Sequence, residues 1–132
     1  MRRVMSKPRS YRLGDLQLRI LKVLWDQQVA SVAEVHQAVG GDAGLAYTTV
    51  ATMLRKMEAR GLVKHHSEGR RYIYRAAVEP DAVSRSMVSD VLERLFEGSL
   101  SDMMSHLLAT REVSREELRR LERLIAERKK QS

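Results

Sequence analysis

Apolar residues fall into helical groupings up to residue 61, alternate over residues 62–76, and return to helical groupings after Pro80. The first grouping is Leu16, Leu18, Ile20, Leu21, Val23, Leu24 and Trp25. It predicts a helix with one strongly apolar face, with Asp15 as its N-cap and Asp26-Gln27-Gln28 as its end. Ser31-Val32-Ala33-Glu34 has the pattern of a capping box, so a second helix opens at Ser31 and turns Val32, Val35 and Val39 to one side. Gly40, Gly41 and Gly44 interrupt the chain. A third helix is expected from about Ala46 to Arg60, with Gly61 as the residue that reverses its end.

The third helix has two faces. At about 100° per residue, Val50, Met53, Leu54 and Met57 share one. Thr48, Thr52, Arg55 and Ala59 share the other, flanked by Thr49 and Lys56. The polar face holds no acid in its first two turns. Small hydroxyls and cations in that arrangement suit entry into a major groove; an ordinary solvated surface would use the same residue types. The alternating stretches Leu62–His66 and Arg71–Arg75, around the turn sequence Ser67-Glu68-Gly69-Arg70, predict a hairpin with Arg70 and Arg71 next to its tip. Three helices followed by a basic-tipped hairpin give the order of a winged helix-turn-helix.

Pro80 marks a boundary between residues 13–78 and 79–132. Beyond it lie three amphipathic segments, the first closed by Gly98 and the last opened by the capping pattern Ser114-Arg115-Glu116-Glu117. Segments this short bury their apolar faces poorly alone, whereas two copies packed together bury them well. Residues 79–132 therefore read as a helical dimerisation region using Val91, Leu95, Leu107, Leu118, Leu121 and Ile125. Folding back onto the first domain is the alternative. The fold class is mainly α (α+β): a winged helix with a two-stranded wing, then a helical dimerisation region.

Charge sharpens this picture. The whole chain of 132 residues carries +7, but residues 1–78 hold +8 and residues 79–132 hold −1. A basic part joined to a balanced part fits a polyanion-binding module with an appendage, or simply a basic soluble protein. Residues 1–12 are basic, contain Pro8 and read as a flexible arm. No apolar run follows them, so they are not a secretory signal, and no stretch reaches the length of a membrane span. The expected location is the cytoplasm, without membrane insertion.

Enzyme chemistry finds little support. The chain lacks Cys, which excludes thiolate metal sites and Cys nucleophiles. Of His36, His65, His66 and His106, the adjacent pair would point to opposite faces of a strand. Gly40-Gly41 and Gly44 lack the Lys-Ser/Thr of a phosphate loop and form a turn. No cofactor and no metal are expected. Trp25 belongs to the core, and Tyr72 and Tyr74 support the wing.

At Leu13-Gly14-Asp15-Leu16 and Val23-Leu24-Trp25 the chain begins to resemble the BlaI/MecI penicillinase-repressor family. The resemblance is most specific in Leu45-Ala46-Tyr47-Thr48-Thr49-Val50-Ala51-Thr52-Met53-Leu54 and in Lys56 to Val63. It continues through Gly69–Tyr74, Phe96–Leu100 and the final Leu-rich helix. It implies a homodimer that binds a dyad-symmetric double-stranded DNA operator and blocks transcription. Base contacts then fall on Thr48, Thr49, Thr52 and Lys56, with Arg55 nearby. It further implies control of β-lactam-response genes through a membrane sensor-protease, with relief by proteolysis near His106-Leu107. The metal site of copper-responsive relatives is Cys-rich and does not transfer. A winged-helix module that binds protein rather than DNA is the competing reading of the same elements.

Overall fold

The computed structural model describes Tyr11 and residues 13–132. The expected flexible arm lies outside the described residues except for Tyr11. The chain divides into two compact units, Met1–Ser89 and Asp90–Ser132.

In the first unit, α1 (Asp15–Gln27) begins one residue earlier than a capping Asp15 would require. Gly14 is the N-cap, and its amide donates to Oε1 of Gln17 at 3.0 Å. Asp15 is thus the first helical residue, where its charge still suits the positive end of the helix. β1 (Ala30–Ser31) precedes α2 (Val32–Val39), and a 3₁₀ turn (Gly41–Ala43) leads to α3 (Tyr47–Ala59). Then come β2 (Val63–Glu68) and β3 (Arg71–Ala76). The expected hairpin is present with a tighter turn, because Ser67 and Glu68 join β2 and leave Gly69-Arg70 as the loop. Gly69 adopts φ +63°, a conformation costly for residues with a Cβ. The wing is two-stranded, and β1 adds a third strand to the sheet in the order β1-β3-β2.

The core draws on every layer of this unit. Ile20, Leu21 and Leu24 of α1 meet Val35 and Val39 of α2, Val50, Leu54 and Met57 of α3, and Leu62, Val63 and Tyr74 of the wing. Trp25 packs against this core and donates its indole N–H to the Val78 carbonyl at 2.8 Å. The Tyr11 amide donates to Oγ of Ser86 at 2.9 Å.

The capping box of α2 is complete. Ser31 Oγ accepts from the Glu34 amide at 3.2 Å, and Glu34 Oε1 accepts from the Ser31 amide at 2.7 Å. The Ser31 amide foremost, and then its hydroxyl, hold the Glu34 carboxyl below its ordinary 4.5, with a smaller contribution from Arg71. A lowered acid stabilises the fold above its unfolded value, and the contribution fades as pH falls through the folded one. Ser31→Ala should cost about 1 kcal/mol in urea unfolding at neutral pH. A neutral result would show that Ser31 does not cap.

α4 (Pro80–Phe96) starts at the proline, whose fixed φ suits the first helical turn. Val83 is buried. The second unit contains the end of α4, then α5 (Leu100–Thr110) and α6 (Arg115–Lys130). Ser99 and Ser114 cap α5 and α6, accepting from the amides of Asp102 and Glu117. Among the described residues, none from 90 to 132 is buried.

Candidate nucleic-acid interface

The inward face of α3 dictates its outward one. Val50, Leu54 and Met57 are wholly buried, which turns Thr48, Thr49, Arg55 and Lys56 to solvent and leaves Thr52 half-buried. Thr52 Oγ1 accepts from Arg55 Nη2 at 3.3 Å, so these two are linked along one side of the helix. The N-cap of α3, Ala46, offers no side-chain cap, unlike those of α2, α5 and α6. Its approach is held instead from the loop. His36 Nε2 donates to the Leu45 carbonyl at 2.6 Å, and the His36 ring stands edge-on to Tyr47 at 5.7 Å. The Arg19 guanidinium donates to the Val39 carbonyl at the end of α2. The far end of α3 closes with Leu62 N–H on Met57 O at 2.9 Å and Gly61 N–H on Glu58 O at 2.9 Å, with Gly61 at φ +80°. That is a Schellman stop, which reverses the chain straight into the wing.

Arg70 occupies the exposed hairpin turn, and Arg71 opens β3 beside it. Arg71 lies 3.8 Å from Glu34, a distance at which exposed charges interact weakly. His65 and His66 diverge as expected. His65 faces Glu58 and the two wing tyrosines, whereas His66 pairs with Glu68 at 2.8 Å on the outer side. Burial raises the Tyr74 hydroxyl above its ordinary 10.0, with Glu58 adding to the effect.

The structure thus gathers the helix residues on one outward face and the two arginines at the wing. It also shows features that the pattern alone missed. Tyr47, 49% exposed, stands at the first position of α3 beside Thr48 and Thr49. Lys64 and Arg75 are exposed and sit opposite each other on the wing strands. Strict alternation along β2 and β3 was the signal for that pair. Among the described residues, no cluster of His and carboxylates could hold a metal ion, and no helix is long and apolar enough to cross a membrane.

In the second unit, Val91, Leu95, Leu118 and Ile125 are exposed, and Leu107 and Leu121 are half-buried. Leu121, Leu118 and Ile125 of α6 line an apolar groove of about 480 Å³ with Met104 and Leu108 of α5. His106 is exposed within α5, its carbonyl accepting from the Thr110 hydroxyl at 2.8 Å.

The penicillinase repressor family model matches residues 13–127. The chain belongs to the penicillinase repressor family. A penicillinase repressor from Bacillus licheniformis is 26% identical over 117 residues, which span 89% of this chain and 91% of that one. The transcriptional regulator BlaI of Mycobacterium tuberculosis is 30% identical over 118 residues, 88% of this chain and 84% of that one. Among solved structures, the DNA-binding domain of the repressor BlaI aligns at 26% identity and a TM-score of 0.48, covering 59% of this chain and 93% of the other. As a member of the penicillinase repressor family, this winged-helix chain is a DNA-binding transcriptional repressor and not an enzyme.

Proposed function

We propose that this repressor binds a dyad-symmetric operator as a homodimer, with residues 13–78 reading DNA, residues 79–132 pairing the chains, and α4 shared between the two tasks. The observation that carries the reading is the outward face of α3. It combines hydroxyls at Thr48, Thr49 and Thr52 with cations at Arg55 and Lys56, and a wing tipped by Arg70 and Arg71 follows it in the chain. Thr52 and Lys56 contact base edges. Arg70 and Arg71 contact phosphate or minor groove, where sequence information is poorer. A second copy covers the apolar groove between α5 and α6, since residues 90–132 bury nothing fully on their own.

Binding selection on randomised half-sites tests the division of roles. Thr52→Ala or Lys56→Ala should alter preference at one half-site position by roughly 1–3 kcal/mol. Arg70→Ala should weaken operator and unrelated DNA alike. If Arg70→Ala shifts base preference while the helix variants lose affinity uniformly, the roles are reversed.

The regulated genes belong, in this reading, to a β-lactam response, and a membrane sensor-protease system relieves repression by cleavage near His106-Leu107. His106 and Leu107 lie inside α5, so the helix has to open before a protease can bind this segment extended. The check is mass spectrometry of the protein from β-lactam-treated cells. Intact chain throughout induction would remove proteolysis from the scheme.

A further inference from the structure

Glu58 is the single acid on α3, a helix whose other charged residues, Arg55 and Lys56, are cations. A carboxylate there would repel the phosphates of DNA unless something engages it. His65 does so. Its Nδ1–H donates to both carboxylate oxygens of Glu58, at 2.6 and 2.9 Å, with about a third of each side chain exposed. The His65 ring in turn stacks on Tyr72 at 4.3 Å and 26°, and lies 5.3 Å from Tyr74. Tyr72 stands two residues beyond Arg70. The last turn of α3 is therefore connected, contact by contact, to the tip of the wing.

Other attachments of the wing lie mostly at its base. β1 pairs with β3 at Tyr74 and Ile73 only, and Tyr74 and Val63 enter the core. Between Ser67 and Tyr72 the hairpin is exposed throughout. A two-stranded ribbon has little rigidity of its own. Besides its own strand pairing, the distal half has the His65–Tyr72 stack and the looser approach of Arg71 to Glu34 at 3.8 Å.

We propose that Glu58 and His65 are positioning residues that fix the pose of the wing against the recognition helix, so that the contribution of Arg70 to DNA binding depends on them. The proposal rests on the reading that Arg70 touches DNA. Neither Glu58 nor His65 need contact DNA for it to hold.

A double-mutant cycle on operator binding by the full chain tests it. Arg70→Ala should cost roughly tenfold in affinity in the native background. In the His65→Ala background the same change should cost about twofold or less, because the arginine is no longer held in place. Lys56→Ala should cost the same in both backgrounds, since α3 is anchored by its own buried face. His65→Asn, whose amide can still donate to Glu58, should restore much of the Arg70 effect, and Glu58→Gln should weaken it less than Glu58→Ala. Thermal melts beside each titration separate loss of fold from loss of pose. Should His65→Ala fail to fold, the Glu58 pair carries the same cycle. Equal Arg70→Ala costs in all backgrounds would overturn the proposal. An Arg70→Ala change without effect even in the native background would instead overturn the wing-contact reading beneath it.

Discussion

Leu121→Asp is expected to make the repressor sediment as a monomer at micromolar concentration and to abolish high-affinity operator binding. Leu121 sits half-buried on α6, in the groove formed with Met104 and Leu108 of α5. Its neighbours Leu118 and Ile125 are 39% and 56% exposed in the single chain, large apolar surfaces that a second copy would cover. A carboxylate in such a seam loses water, and Arg115 and Arg119, which also line the groove, offset only part of that cost. Desolvating even a neutral polar group without a partner costs roughly 2–7 kcal/mol, and a symmetric interface meets the substitution twice. The first unit has its own core, so the variant should keep a folded reading head that binds a half-site weakly. A variant that still sediments as a dimer would show that chains pair elsewhere. One that is dimeric and bound to operator would remove the role given to residues 79–132.

The second large effect is salt dependence. If Arg70 and Arg71 of each protomer neutralise phosphates, about four counterions leave on binding, and affinity should fall roughly 10²-fold between about 50 and about 200 mM salt. Arg70→Ala should flatten that slope by about one phosphate contact in each half-site. Titration by fluorescence anisotropy at several salt concentrations gives the slope directly. Affinity that stays flat over this range would mean that the positive charge of residues 1–78 does not face the DNA backbone.

Much of the fold was legible because periodicity changes sharply where the elements change. The apolar spacing of Val50, Leu54 and Met57 placed the inward side of α3 correctly, and the outward residues followed by geometry. The Ser31 capping box and Gly61 stop were readable as chemistry. β1 was not legible: two residues, Ala30 and Ser31, carry no alternation, and they are a strand only because the edge of β3 is there to pair with. The wing turn is tighter than its composition suggests: Ser67 and Glu68 are turn-forming residue types, yet Gly69 with its positive φ lets the chain reverse in two residues. The clasp between Glu58 and His65 is illegible in the sequence for a different reason. Its members belong to different elements, and only the sharp reversal at Gly61 brings them together.

The bond from Trp25 to Val78 has a practical consequence. The chain has one tryptophan. Its indole N–H is tied to the carbonyl of the short stretch joining the wing to α4, 53 residues further along. Indole emission responds to solvent and to the loss of such a bond, so the protein carries its own optical gauge at the joint where the reading head ends. A red shift during denaturation would time the release of that joint. A spectrum unchanged in Leu121→Asp would show that separating the chains leaves the joint closed.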